Sequence, residues 1–303
     1  MIMTGGAGMK LENDYLIVEI AEHGAELTRI YNKKNNRELL WNADEKYWAR
    51  HAPILFPFVG KVNGGEYRHA GKTYNMGQHG FARDMDFECT AEGETIAEYR
   101  LKSSDATLAK YPFQFELFVK YILKDNKIEV CWKVVNPSDS EKLYFSIGGH
   151  PAFNCPVEGS GFDDKAEYFV KLTDKNDLSY VLIDPATEAV AADEVHTLEL
   201  DGGYVKTTEE LFENDALIFD DSQIKEASLC YPDKTPYITI KCDSFSSFGL
   251  WSKPKANAPY VCLEPWIGRC DNRGFDGELK DKYGEQCLEA DNEFEVRFDI
   301  IAE

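Results

Sequence analysis

Apolar and polar residues alternate at a spacing of two along most of this chain, and no other feature limits its possible folds so sharply. A period of two places alternate side chains on opposite faces of an extended strand, whereas a helical face repeats every 3.6 residues or so. The runs "YLIVEIA" (15–21), "AELTRIYN" (25–32), "TIAEYRLKS" (95–103), "YITIKC" (237–242) and "EFEVRFDII" (293–301) therefore read as strands. The last carries Phe294, Val296, Phe298 and Ile300 on one face. In "FQFELFVKYILKDNKIEVCWKVVN", Lys124, Asp125 and Asn126 separate two long alternating runs, which predicts a hairpin. Helical spacing is scarce. Its best case is "TEELFEND" (208–215), where Thr208 is placed to cap one or two turns and Glu209 and Glu210 suit the helix dipole.

The expected class is thus all-β: a large antiparallel sandwich with a few short helices, in which sheets cover each other's apolar faces. No linker, low-complexity tract or fixed-period repeat interrupts the 303 residues, so a single domain over 1–303 is expected, with "MIMTGGAGMK" (1–10) as a loose leader. That leader lacks a signal-peptide apolar core, and no run is long enough to span a bilayer.

Charge excludes some partners. A formal net charge of −21 repels phosphate backbones and anionic lipid, so neither nucleic acid nor membrane is expected, while a neutral small molecule feels little of the field. The eight cysteines include no Cys-x-x-Cys pair or histidine cluster of the kind that holds zinc, and several, such as Cys131 in "IEVCWKVV", sit in apolar runs as small hydrophobes. Reduced, buried thiols fit a cytoplasmic protein.

Three segments break the strand rhythm with titratable side chains: "LFPFVGKVNGGEYRHAGKTYNMGQHGFARD" (55–84), "SIGGHPAFNCP" (146–156) and "VCLEPWIGRCDN" (261–272). In the second, Gly148 and Gly149 allow a close backbone approach and Pro151 restricts His150 to an extended conformation. An isolated histidine is more often a satisfied core group; the glycine pair favours a held, functional one. In the third, Glu264 ends an apolar run beside Pro265 and Trp266. Such a carboxylate is either wet or paired, and the tryptophan is either core or a platform for the C–H face of a pyranose.

One imidazole and one carboxylate suffice to open and reclose a cyclic aldose. A base takes the proton of the C1 hydroxyl, an acid protonates the ring oxygen, and rotation before reclosure inverts the anomeric centre, with no cofactor and no metal. If His150 and Glu264 face each other, each is expected to favour the other's charged form, raising the histidine pKa and lowering that of the glutamate.

With these residues in view, the chain resembles the aldose 1-epimerase (galactose mutarotase-like) superfamily, most closely its LacX-like branch. The matching segments are "HGAELTRIYNKKNNRELLWNADEKYW", "PILFPFVGKV", "GQHGFARD", "YPFQFELFVKYIL", "GGHPAFNCP", "LFENDALIF" and "CLEPWIGRCD", in family order from about Leu16 to Ile300. The resemblance implies a β-supersandwich with the sugar in an open cleft. It further implies His150 as general acid, Glu264 as general base and His79 as a second histidine that places the sugar. Lys61 stands where the family usually has arginine, replacing a bidentate fork by a point donor. Arg83 is either a further sugar contact or a structural partner for Asp84 or Asp86, and Trp266 is a candidate sugar platform. Asp220 and Asp271 are positional candidates for the family's substrate-binding aspartate.

The implied partner is a small-molecule aldose, and the chain is expected to be a monomer or homodimer. Two rivals share the fold: a hexose-6-phosphate 1-epimerase, which needs a basic cluster, and a carbohydrate-binding protein without turnover. A glycoside hydrolase fits less well, since its usual mechanism needs two carboxylates.

Overall fold

The structure is a computed structural model that describes residues 8–303. Its elements are almost all strands, and every strand ladder among the described residues is antiparallel. A nine-stranded sheet runs, edge to edge, through Tyr204–Lys206, Phe169–Lys171, Glu226–Cys230, Pro236–Lys241, Glu293–Ala302, Lys127–Val135, Glu116–Lys124, Ile96–Lys102 and Glu88–Glu92. At its centre is the expected hairpin, with Lys124 already paired to Lys127 across a turn of Asp125 and Asn126. The left-handed backbone that this turn needs falls on Asp125, at φ 53°.

A six-stranded sheet lies against it: Leu217–Phe219, Ser247–Trp251, Tyr260–Ile267, Ile147–Gly149 and Ile54–Leu55 in order, with Ala152–Asn154 also paired to Tyr260–Ile267. One apolar cluster joins the two, drawing Leu117, Val119, Trp132 and Ile300 from the larger sheet and Ile54, Ile147, Leu250, Val261 and Leu263 from the smaller. Burying each such side chain stabilises the fold by about 1.5–3 kcal/mol, which is why alternation along the strands determines which face turns inward. Further strands, among them the four of the sheet Met9–Glu12, Leu16–Ile20, Leu27–Asn32 and Arg37–Glu38, complete the molecule.

Two local expectations need correction. The helix over 208–215 shrinks to one 3-10 turn, Glu210–Phe212, whose N-cap position is Glu209 without a side-chain cap; an α-turn appears instead at Asp105–Leu108, where Ser104 and Thr107 close a capping box. Met9 and Lys10, expected in the leader, open the first strand; residues 1–7 lie outside the described residues. No helix is long and apolar enough to cross a membrane among the described residues.

Candidate active site

The strand Tyr260–Ile267 is buried along its whole length, so both of its faces pack. Val261, Leu263 and Ile267 point into the core between the sheets. Cys262, Glu264 and Trp266 occupy the other face. Gly148 pairs with Trp266 and Ala152 with Cys262; between these pairs, two residues along each strand, His150 stands opposite Glu264. The register that pairs these strands thereby sets an imidazole beside a carboxylate, with His150 Nε2 3.3 Å from Glu264 Oε2.

The glycines that mark this segment serve the indole of Trp266. A Cβ on Gly148 would lie 2.6 Å from Trp266 Cδ1, and one on Gly249, on the opposite neighbouring strand, 2.5 Å from Trp266 Cζ2. The ring therefore lies flat across the sheet in a slot that only two missing side chains provide. Gly149 faces the other way, onto Trp132 and Phe298. The close approach expected of this glycine pair is thus made to two tryptophans. Trp266 is 5% exposed, so it belongs to the packed floor, yet it also lines the cavity above.

That cavity is about 970 Å³ and brings together His79, His150, Glu264, Lys61, Arg83 and Trp266. It also collects residues that the alternation pattern does not reveal. Trp48 packs on His150 with ring centroids 4.7 Å apart and Trp251 meets it edge-on at 5.4 Å, so two indoles flank the imidazole. Asp215 lines the wall and accepts the Trp251 indole N–H at 2.6 Å. The hairpin Ile183–Asp184 and Ala189–Val190 supplies a further wall, with Asp184 and Glu188.

Burial rules the electrostatics of the central pair, against the expectation from mutual attraction. Glu264 is 1% exposed and His150 7%. Desolvation penalises both charged forms: it lowers the His150 pKa to about 3, and, with the Asp215 charge adding to it, holds Glu264 well above the ordinary carboxylate range. Burial thereby favours a neutral imidazole beside a protonated carboxylic acid. Between them, the pair still carries one proton.

His79 is held more tightly. Its Nδ1 accepts the Gly60 N–H at 3.0 Å and its own N–H donates to the Gly60 carbonyl at 2.7 Å. Burial, with His150 and nearby cations adding, pushes its pKa well down, so the ring is neutral and its one proton sits on Nε2 as a fixed donor. The backbone around it needs glycine. His79 itself has φ 65°, and Gly80, at φ 69°, would bring a Cβ to 2.3 Å from the Phe56 carbonyl oxygen.

The cations differ from expectation. Lys61 reaches the cavity but is tied to Glu188 of the wall hairpin. Arg83 lines the cavity, donates from Nη2 to the Gln78 carbonyl at 2.7 Å and stands 3.8 Å from Asp84, as its structural alternative expected, although Arg50 holds Asp84 more closely at 2.6 Å; Asp86 pairs with His23. Neither candidate aspartate lines the main cavity. Asp220 accepts from Arg269 and Ser247, each at 2.8 Å, and Asp271 accepts the Asn63 N–H at 2.9 Å beside a separate, smaller cavity. Asp184 and Asp215 line the main cavity instead, Asp215 beside Trp251. The signal of Asp215 in the sequence was the polar Asn-Asp step inside "LFENDALIF", immediately before an apolar strand.

Comparison with known proteins shows what the chain is similar to. Residues 9–272 match the family model described as aldose 1-epimerase. The chromosomally encoded protein LacX of Lactococcus lactis subsp. lactis is 30% identical over 284 residues, covering 90% of this chain and 92% of that one. A galactose mutarotase related enzyme from Lactobacillus acidophilus superposes with a TM-score of 0.90 at 32% identity, covering 98% of this chain and 97% of the other. A galactose mutarotase-like protein from Lactobacillus casei gives 0.87 at 32% identity, covering 98% and 100%.

Proposed function

This chain belongs to the aldose 1-epimerase family, and on that premise we propose that it interconverts the α and β anomers of a free hexose such as galactose or glucose. The observation that carries the reading is the 3.3 Å contact between His150 Nε2 and Glu264 Oε2 on the cavity floor. Mutarotation moves protons at two oxygens bonded to the same carbon, so its acid and base must stand side by side. Glycoside hydrolysis instead needs two carboxyl groups about 5–9.5 Å apart.

In the proposed cycle, one proton shifts along the pair as the sugar binds, giving imidazolium and carboxylate whose lost hydration the sugar hydroxyls replace. Glu264 then takes the proton of the anomeric hydroxyl while His150 gives its proton to the ring oxygen. The C1–O5 bond breaks, C1 becomes a carbonyl carbon, and the pair is left neutral. That is the protonation state burial favours, so the surroundings that penalise the starting ion pair stabilise the ring-opened stage. Rotation about C1–C2 and return of both protons close the other anomer.

The neutral His79 donates from Nε2 to a sugar hydroxyl, Asp215 accepts from one, and Trp48 and Trp251 offer apolar faces to the ring. The reaction runs on one domain spanning the chain, with no cofactor, and the five buried, free thiols favour a reducing, cytoplasmic setting. Phosphorylated hexoses are disfavoured because Lys61 is paired with Glu188, and Arg273 with Asp184, Asp193 and Glu194.

The test is the approach of freshly dissolved α-D-galactose and α-D-glucose to anomeric equilibrium, followed by polarimetry or proton NMR. Acceleration by wild type that His150→Asn and Glu264→Gln abolish, in folded variants, is the expected result. Sugar binding without acceleration would replace this reading with a carbohydrate-binding protein, and acceleration confined to hexose 6-phosphates would replace it with the phosphate-specific enzyme.

A further inference from the structure

Beside the cavity floor, packed among Trp41, Ala152, Ala258 and Tyr260, lies a third reactive atom that sugar chemistry does not use. Cys262 lies two residues before Glu264 on the same strand, hence on the same face, and is fully buried. Its Sγ, a His150 ring nitrogen and a Glu264 carboxylate oxygen all lie within 4.8 Å of one another. Glu264 Oε2 and His150 Nδ1 are buried without any hydrogen-bond partner. Three unlike donors meet here, and the Glu264 oxygen that faces His150 Nε2 is one of the unsatisfied atoms.

From this geometry we propose that the pocket floor is a reversible binding site for a thiophilic divalent cation, Zn²⁺ above all, which occupies the acid–base pair and shuts the site off. The donor set decides the ion: nitrogen, sulfur and oxygen suit zinc, whereas magnesium and calcium take oxygen ligands. Spacing agrees. A tetrahedral ion about 2.0–2.1 Å from an imidazole nitrogen and a carboxylate oxygen sets those atoms about 3.3 Å apart, which is the separation His150 and Glu264 already have. A thiolate at about 2.3 Å from the ion would stand about 3.6 Å from each, and Cys262 Sγ already lies within 4.8 Å of both ligand atoms.

Charge agrees as well. A buried site resists any single unbalanced charge. Neutral His150, the Cys262 thiolate and the Glu264 carboxylate together offset a 2+ ion, so the loaded site has no net charge. The thiol and carboxyl protons leave to solvent as the ion enters. His150 and Glu264 line the cavity, from which water or a sugar hydroxyl would complete the tetrahedron. What the site lacks is a partner for His150 Nδ1; such outer support is typically worth about 10–100-fold in affinity. The ion is accordingly an exchangeable inhibitor and not a resident structural metal.

Cobalt(II) reads the site without reference to turnover, so its result stands whether or not the chain is a mutarotase. The full chain carrying Cys287→Ser, which removes the exposed thiol, is titrated with Co²⁺. The expected result is one tetrahedral ion per chain with a thiolate-to-cobalt charge-transfer band, displaced by Zn²⁺ and unaffected by Mg²⁺. Adding Cys262→Ser should abolish the band and weaken Zn²⁺ binding at least tenfold; Glu264→Gln, which leaves the thiol in place, should also weaken it. If a substrate is found, Zn²⁺ should inhibit its turnover and the sugar should weaken Co²⁺ binding. No charge-transfer band, a band that survives Cys262→Ser, or Zn²⁺ affinity unchanged by both substitutions would overturn the proposal.

Discussion

The hairpin Glu116–Val135 and the strand Tyr260–Ile267 border the same core, yet they treat charge in opposite ways. On the hairpin, Lys120 faces Glu98 and Lys133 reaches Glu293 on the outer side of the sheet, and the one buried carboxylate there, Glu129, is matched by Lys124 and Lys127. On the site strand, the face turned away from the core is dry too, and Glu264 sits on it with 1% exposure. Exposed ion pairs add little to stability, whereas a buried carboxyl has its protonation set by what surrounds it. The comparison teaches that reactivity here comes from covering a sheet face, not from adding charged residues, of which the hairpin has more.

Substitutions at the two places test this contrast most strongly. Glu264→Gln or His150→Asn should slow mutarotation by about a hundredfold or more in a polarimetric assay, while Lys120→Gln on the hairpin should leave the rate unchanged and the stability within about 0.5 kcal/mol. A hairpin variant that cost as much activity would break the comparison.

Next in size is the slot beneath Trp266. Gly249→Ala places a Cβ 2.5 Å from the indole, and overpacking of this kind costs about 1–3 kcal/mol. A thermal melt should show a drop of several degrees together with lost activity, because the displaced ring adjoins Glu264. Gly77, whose added Cβ would meet nothing and whose backbone is not left-handed, offers no such leverage.

A smaller effect concerns pH. Because the folded pKa of Glu264 is raised, the native protein holds a proton there that the unfolded chain releases above about pH 4.5, so this group's stabilisation is lost as pH rises toward the folded value. His150, lowered to about 3, opposes this between about pH 3 and 6.5, where the unfolded chain binds the extra proton and stability rises with pH. Glu264→Gln, which cannot ionise, should therefore gain stability relative to wild type as pH rises through the range where Glu264 loses its proton. A difference unchanged with pH would mean that Glu264 is not protonated in the empty site. Turnover should fall on the alkaline side, where the pair loses its single proton.

Smallest is Lys61→Gln, which removes a half-exposed pair with Glu188 and should alter KM by less than about threefold.

The hairpin was legible in the sequence because its alternation, turn and pairing partner are all local. His150 and Glu264 were legible by type, each flanked by glycine or proline at the end of an apolar run. Their protonation states were not. Attraction between neighbours is visible in a sequence, but the desolvation that outweighs it depends on Trp48 and Trp251, which come from positions 102 residues before and 101 after His150. Asp220 and Asp271 were misplaced for the same reason: Arg269, close in sequence to Asp271, turns out to bind Asp220. Gly148 and Gly149 signalled close approach correctly, but its object was an aromatic ring 118 residues beyond Gly148.

His150 faces Glu264 through the pairing of Ile147–Gly149 and Ala152–Asn154 with Tyr260–Ile267. The spacing of acid and base is thus a lattice constant of the sheet, as the gap between facing teeth is fixed by a closed zip. A loop-borne pair can drift while its scaffold stays intact; this pair has no such slack. Heat should leave the catalytic spacing in place until the sheet itself opens, so inactivation and melting should coincide, and the rate of anomer exchange should serve as a gauge of how much of the sheet remains in register.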